Sequence, residues 1–132
     1  MNEIDEPVNS VIEAYRQAVF DRDVDAFMRL YEPGARVFDA WNVWSYESAG
    51  EWRGSVEGWL TSLGDERVRV TAEQVQVRGE GPLLIVSAFF RYAAISSEGV
   101  ELRAIKNRLT WALRSDSETW RIVHEHTSVP SD

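Results

Sequence analysis

The sequence has no cysteine among its 132 residues, so disulfide bridges and thiolate chemistry are excluded. No apolar stretch approaches the roughly 20 residues that span a bilayer. The acidic start MNEIDEPVN does not have the pattern of a secretory signal. Phosphate-binding glycine loops and nucleophile elbows are also missing. We therefore expect a cytoplasmic protein that does not enter membranes.

Positive charge and histidine are both scarce. Lysine and arginine number 14 against 22 acidic residues, which gives a net charge of −8. Such a surface repels phosphate backbones, so we expect no nucleic-acid partner. The chain has two histidines, His124 and His126. Zinc sites need at least three protein ligands, and only a site completed by Asp39 would supply a third, so we expect no metal.

The N-terminal third of the chain shows helical periodicity. Residues 5–21 carry one apolar stripe at helical spacing, formed by Val8, Val11, Ile12, Tyr15, Ala18 and Val19. A short helix capped by Asp23 follows, and its predicted apolar side consists of Phe27, Met28, Leu30 and Tyr31. Pro33 and Gly34 are predicted to end this second helix. A strand is predicted at Ala35–Trp41, an irregular aromatic segment at 42–54 and a third helix at Ser55–Leu63.

The second half of the chain has strand patterns separated by turns. The predicted strands are Arg67–Arg78, Leu83–Ile95, Val100–Arg114 and a last strand from about Thr119. In the first of them Val68 and Val70 hold one phase of the alternation, whereas Val75 and Val77 hold the other. One extra residue near Glu73 explains this slip, so we predict a β-bulge that bends the sheet.

These elements predict an α+β fold in a single domain, residues 1–132. A curved antiparallel sheet is expected to wrap around the long first helix and to form a cone with a pocket at its open end.

The element order resembles the nuclear transport factor 2-like superfamily, with its cystatin-like cone, over about Val8 to Val129. The segment W-R-I-V-H-E-H-T-S-V-P is similar to the closing strand of the SnoaL-like branch. YEPGARVF and AFFRYAA, which carries Arg91, resemble the association domain of calmodulin-dependent kinase II. The last resemblance implies a pocket in which Arg91 meets a carboxylate-bearing ligand.

A second resemblance is to the ketosteroid isomerases of the same superfamily. V-I-E-A-Y-R-Q-A-V places Tyr15 at the position of their catalytic tyrosine, and A-R-V-F-D-A places Asp39 at that of their aspartate base. Their third residue, a protonated aspartate on the penultimate long strand, has no counterpart in R-A-I-K-N-R-L-T-W, where Asn107 lies nearest.

Tyr15 and Asp39 are candidate catalytic groups on physical grounds as well. A phenol in a dry pocket can donate to an oxygen that gains negative charge. A carboxylate among Phe38 and Trp41 is desolvated, which raises its pKa and makes it a usable base. The alternative is a tyrosine that only packs and an aspartate that ends its strand in water.

The two histidines stand two residues apart in the last strand, so they point to the same face as Trp120 and Ile122. One interpretation makes them part of the pocket wall, with His126 as a general acid or base and His124 as a ligand contact. The other interpretation is a pair of buried structural histidines.

The remaining candidate ligand contacts are Trp41, Trp44, Arg91 and Asn107. Arg91 interrupts the apolar run LLIVSAFFRYAAI and needs either an anionic ligand or a carboxylate such as Glu101 or Glu125 on the outer face. On strand 100–114 the apolar residues share a face with Asn107, so Asn107 is predicted to point inward. Tryptophans 41, 44 and 59 either line the cone or fill it.

Two functions fit these observations. The first is an isomerase, cyclase or dehydratase that transfers protons without a cofactor. The second is a non-catalytic module that binds a ligand or associates with other chains. In both cases we expect a hydrophobic or carboxylate-bearing small molecule as ligand. We also expect a homodimer, because the long strands have large side chains on both faces.

Overall fold

The computed structural model describes residues 5–41, 43–117 and 119–131. Its elements are α1 (Asp5–Asp21), α2 (Val24–Met28), β1 (Tyr31–Phe38), α3 (Ala49–Thr61), β2 (Arg67–Glu80), β3 (Leu83–Ile95), β4 (Glu101–Asp116) and β5 (Thr119–Ser128). The strands form one sheet in the order β1-β5-β4-β3-β2. β1 runs parallel to β5 and the other neighbours are antiparallel. The predicted α+β fold is confirmed. No helix in these ranges combines the length and apolar character needed to cross a bilayer.

The first helix packs with its apolar stripe against the inner face of the sheet. Its buried residues are the six that the helical spacing predicts: Val8, Val11, Ile12, Tyr15, Ala18 and Val19. Arg16, at the edge of the stripe, donates from Nε to the backbone oxygen of Val70 in β2 (2.6 Å). The helix therefore presents Tyr15 to the interior of the cone.

The boundaries of the next elements differ from the predicted ones. Tyr31 belongs to β1 rather than to the second helix, and Pro33-Gly34 forms an irregular step inside β1, where the pairing with β5 shifts register. α3 begins at Ala49 because Ser48 caps it and accepts a hydrogen bond from the Glu51 N–H (3.2 Å). This earlier start makes Trp52 a helical residue that faces the core.

The predicted bulge in β2 is confirmed. Glu73 pairs with Phe89 and Gln76 pairs with Ser87, so two residues of β2 oppose one residue of β3. Gln74 adopts a positive φ of 51° within this step. The bulge bends β2 and moves the valines on both sides of it to the inner face.

A second bulge lies in β5, where the sequence did not predict one. Ile122 pairs with Leu113 and His124 pairs with the adjacent Ala112, so Val123 is the extra residue. Beyond this point Glu125 and Thr127 point into the core and both are buried. The histidines therefore lie on the outer face, and the prediction that they share a face with Ile122 is wrong.

Candidate active site

A cavity of about 480 Å³ opens between α1, α3 and the inner face of the sheet. Its walls are mostly apolar, and aromatic side chains come from the helices, from the segment after β1 and from β3. The lining residues are Tyr15, Asp39, Trp41, Trp52, Ser55, Val56, Trp59, Leu63, Val68, Tyr92, Ala94, Arg103, Ala104, Ile105, Asn107, Glu125 and Thr127. The cavity has the size and character of a small-molecule site.

Glu125 is the most deeply buried charged residue in this wall, with 2% of its surface exposed. Its Oε1 accepts hydrogen bonds from the Tyr31 hydroxyl (2.6 Å) and from the indole N–H of Trp111 (2.8 Å). No described residue donates to Oε2, and no described cation contacts the carboxyl group. Burial raises the pKa of Glu125 to about 7, although the two hydrogen bonds act in the opposite direction.

Asp39 lies just after β1 and is held by Thr127 of β5. The Thr127 hydroxyl donates to Asp39 Oδ1 (3.2 Å) and accepts from the Ala40 N–H (2.9 Å). Burial raises the pKa of Asp39 above its ordinary value, while the Thr127 hydroxyl and the neighbouring backbone N–H groups favour the ionised form. The predicted direction of the pKa shift is confirmed. Asp39 thus faces the same cavity as Glu125.

Two phenols meet at the centre of the cavity. The hydroxyl oxygens of Tyr15 on α1 and Tyr92 on β3 are 3.0 Å apart. Burial raises the pKa of both groups far above the ordinary value, and so both stay protonated near neutral pH. The pair shares one hydrogen bond, and one of its two protons remains available to a ligand.

Two buried polar side chains complete the wall. Asn107 is 7% exposed and points inward, as predicted, but its Oδ1 has no hydrogen-bond partner among the described residues. The indole N–H of Trp52 approaches the Tyr31 hydroxyl without completing a hydrogen bond of normal geometry. Unpaired buried polar atoms are costly, so these two groups need a partner that enters the cavity, either water or a ligand.

The only cationic side chain that lines the cavity within the described part of the chain is Arg103. It is exposed and donates two hydrogen bonds to Glu66, at 2.7 and 3.4 Å. The polar interior is therefore rich in acceptors and poor in positive charge.

The structure does not bring every predicted site residue to this cavity. Tyr15, Asp39, Trp41 and Asn107 line it. Trp44 is 94% exposed and Trp41 is 46% exposed at the mouth, so neither fills the cone.

Arg91 also lies away from the cavity. It makes a bidentate ion pair with Glu101, at 2.7 and 3.0 Å, on the outer face of the sheet. Its predicted contact with a ligand is therefore not supported, and the alternative interpretation, a carboxylate partner across the sheet, is confirmed for Glu101.

The histidines also lie outside the cavity, because the bulge at Val123 turns them outward. The Nδ1 of His124 donates to the backbone oxygen of Arg36 (2.8 Å), and both imidazoles contact the Phe38 ring edge-on. The pocket-wall position predicted for His124 and His126 is therefore wrong. Within the described residues no three histidine, aspartate or glutamate side chains cluster in a way that would hold a metal ion.

Sequence reasoning missed Glu125, Tyr92, Trp52 and Thr127. Glu125 was expected on the outer face, because simple alternation from Ile122 put it there. The sequence gives little sign of the bulge, because no strongly apolar residue follows Val123 within β5 to show which side chains point inward. Trp52 was missed because the start of α3 was placed six residues too late.

A second depression, of about 570 Å³, lies where α1, α2 and α3 meet. It is shallow, and Arg53 at its edge is paired with Asp25 and Glu57. Its charged groups satisfy one another at the surface, so it does not have the buried unpaired atoms that mark the main cavity.

Solved structures with the same fold are numerous among bacterial proteins. An NTF2-like protein of unknown function from Pseudomonas putida is 23% identical, with a TM-score of 0.81 over 95% of this chain and 85% of that one. A protein from Xanthomonas campestris, proposed to be a calcium/calmodulin-dependent protein kinase II association domain, is 15% identical, with a TM-score of 0.83 over 100% and 91%. A cystatin-like protein from Caulobacter vibrioides is 14% identical, with a TM-score of 0.77 over 98% and 92%.

At these identities the likeness shows the fold alone. A comparison with curated proteins found no match. A model of the SnoaL-like domain matches residues 8–132. That match includes all the elements that build the cavity, and it shows that the chain belongs to the SnoaL-like domain family.

Proposed function

We propose that the protein is a cofactor-independent enzyme that transfers a proton on a small, largely apolar carbonyl compound. The observation that carries this proposal is that two carboxyl groups with raised pKa, Asp39 and Glu125, face one cavity beside the Tyr15–Tyr92 hydroxyl pair. Carboxyl groups tuned toward neutral pH are typical of acid–base sites.

Asp39 is the proposed base. It is partly buried, and the hydroxyl of Thr127 holds one of its oxygens (3.2 Å), so the carboxylate is positioned to take a proton from a carbon beside the carbonyl group of a ligand in the cavity. The Tyr15–Tyr92 pair then donates its free proton as a hydrogen bond to the oxygen that gains negative charge. An isomerase, a cyclase or a dehydratase that acts beside a carbonyl group can begin with such an enolate-like step.

A deuterium-exchange experiment tests this proposal. The wild-type protein is incubated in D2O with β-tetralone and with a panel of other enolisable cyclic ketones, and deuterium incorporation is followed by NMR. We expect exchange above the buffer rate for at least one ketone and a loss of at least about 100-fold in Asp39→Asn. Glu101→Gln, which removes a carboxylate from the outer face, should exchange at the wild-type rate.

Asp39→Asn should be at least as stable as the wild type at neutral pH, because it removes a partly buried charge and keeps the shape of the side chain. Exchange at the buffer rate for the whole panel, or full exchange by Asp39→Asn, would contradict the proposed reaction.

A non-catalytic module that associates with itself is the second candidate function. Leu83 and Ile85 on the outer face of β3 are 48% and 43% exposed, and they lie in the same sheet face as His124. We propose that a second copy of the chain covers this face in a homodimer. The Xanthomonas neighbour is itself proposed to be an association domain. Sedimentation at micromolar concentration tests the dimer, and a single species near the chain mass of 15.1 kDa would contradict it.

A further inference from the structure

Glu125 is part of the observation behind the proposed function, but it takes no part in the proton-transfer step itself. Its Oε1 is held by two neutral donors from β1 and β4, and its Oε2 meets the cavity without a donor from any described residue. A buried carboxylate without a cation is expensive, and in proteins such groups normally have a positively charged partner. The partner that the described residues do not supply can come from a ligand.

The aromatic walls favour the same kind of ligand. Trp41, Trp52 and Trp59 line the cavity together with the two phenol rings. The face of an aromatic ring attracts an ammonium group, and a desolvated contact of this type contributes about 2 kcal/mol. A flat apolar body also packs well against such rings.

The unpaired oxygen of Asn107 adds a second requirement. Trp111 pairs with Glu125 across β4 and β5, and Asn107 lies four residues before Trp111 on the same face of β4. The two positions are therefore about 13 Å apart along the sheet. A ligand that reaches both positions therefore needs a polar group at each end, as tyramine has.

We propose that the cavity binds an aromatic amine in its protonated form, with the ammonium group at Glu125 Oε2 and a hydroxyl or N–H at the far end donating to Asn107 Oδ1. The inference rests on the proposed function in that it takes the cavity as the substrate site. The substrate would then carry an amino group as well as the carbonyl group proposed there. Anions fit the cavity poorly, because they would meet two carboxyl groups, and the one cationic side chain that lines it among the described residues, Arg103, is bound to Glu66.

The protonation state of Glu125 couples binding to pH. The titratable groups that face it are Tyr31 from β1, Asp39 after β1, Tyr15 from α1 and Tyr92 from β3. The tyrosines stay neutral, and the charge of Asp39 opposes ionisation of Glu125. An ammonium group favours the ionised form, so its binding releases a proton from the carboxyl group. Affinity for the amine should rise with pH and level off above the pKa of about 7.

A set of three probes that share one phenol ring tests the proposal. Tyramine is a cation, tyrosol is its neutral alcohol and phloretate is its carboxylate analogue. By calorimetry at about pH 8, we expect tyramine to bind at least about tenfold more tightly than tyrosol, and phloretate not to bind. Phenethylamine, which lacks the ring hydroxyl, should bind several-fold more weakly than tyramine.

The variants Glu125→Gln and Glu101→Gln distinguish a contact with Glu125 in the cavity from the effect of the protein's overall negative charge on binding. Each removes one negative charge, but only the first removes it from the cavity. We expect Glu125→Gln to bind tyramine and tyrosol equally, and Glu101→Gln to keep the wild-type preference. Equal binding of the two probes by the wild type, or an unchanged preference in Glu125→Gln, would overturn the proposal.

A measurement on the wild type alone covers the case in which Glu125→Gln does not fold. Binding enthalpies in two buffers of different ionisation enthalpy, below the pKa of Glu125, should show proton release with tyramine and none with tyrosol. The absence of proton release would also overturn the proposal. The ketone-exchange assay fails or succeeds independently, because it depends on Asp39 and uses substrates without an amine.

Discussion

Four polar residues alternate between the two faces of β5, and the two faces differ in their exposure to water. His124 and His126 lie on the outer face against the ring of Phe38, where water reaches them. Glu125 and Thr127 lie on the inner face, buried in the wall of the cavity. The chemical type of a side chain does not decide which face it occupies. The bulge at Val123 does, and it places a carboxyl group where imidazoles were expected.

The largest expected difference between the two faces is in stability. Glu125→Ala leaves the Tyr31 hydroxyl and the Trp111 indole N–H without their shared acceptor and opens a void, which should lower the free energy of unfolding by about 4 kcal/mol. His126→Ala removes an exposed ring and should cost less than about 1 kcal/mol. Urea denaturation of both variants checks the comparison. Similar losses in the two would show that the faces are not different in this way.

The pH dependence of stability sharpens the comparison. The pKa of Glu125 rises from an ordinary 4.5 to about 7 on folding, so the folded state binds this proton more tightly than the unfolded chain. The contribution that favours folding is complete below the unfolded pKa and is lost as pH rises through the folded one.

Wild type should therefore lose about 3 kcal/mol relative to Glu125→Gln between about pH 4 and pH 8. The Gln side chain keeps one oxygen for Tyr31 and Trp111, so the variant serves as a neutral reference. Thermal or urea unfolding at several pH values measures the difference. A difference that stays constant with pH would mean that Glu125 does not titrate in this range.

A smaller effect is expected for the phenol pair inside the cavity. Tyr15→Phe and Tyr92→Phe each remove the same 3.0 Å hydrogen bond, and each should lower the unfolding free energy by about 1 kcal/mol. Because the bond is shared, the double variant should cost less than the sum of the single ones. Strict additivity in this double-mutant cycle would show that the hydroxyls do not interact.

The smallest effect belongs to the outer face. Arg91 and Glu101 form a bidentate pair, but both side chains are more than a third exposed, at 37% and 45%. Glu101→Gln should leave the unfolding free energy nearly unchanged, because water screens such pairs. A large loss, measured by the same urea titration, would contradict the exposed position of this ion pair.

Much of the fold could be predicted because its signals are periodic. The stripe from Val8 to Val19 fixed the buried side of α1, and the slip between Val70 and Val75 revealed the bulge in β2. The inward position of Asn107 followed from its apolar neighbours on β4. In each case strongly apolar residues on both sides of the feature show which side chains point to the core.

The site was predicted only in part, because no strongly apolar residue follows Val123 within β5 to show which side chains point inward. His124, Glu125, His126 and Thr127 are all polar, so the sequence does not show which of them lie inside. The exposure of Trp44 and the pairing of Arg91 with Glu101 depend on where the loop and strand lie in space, and local patterns do not contain this information.

The titration of Glu125 tests the central claim most directly. Carboxyl-carbon NMR of the wild type, with the resonance assigned by its absence in Glu125→Gln, gives the pKa of this group in the folded protein. A buried carboxyl group that faces the cavity without a cation should titrate near 7. A value at or below the ordinary 4.5 would place the group in water or beside a cation, and would contradict both the inward turn of Glu125 and the role proposed for it.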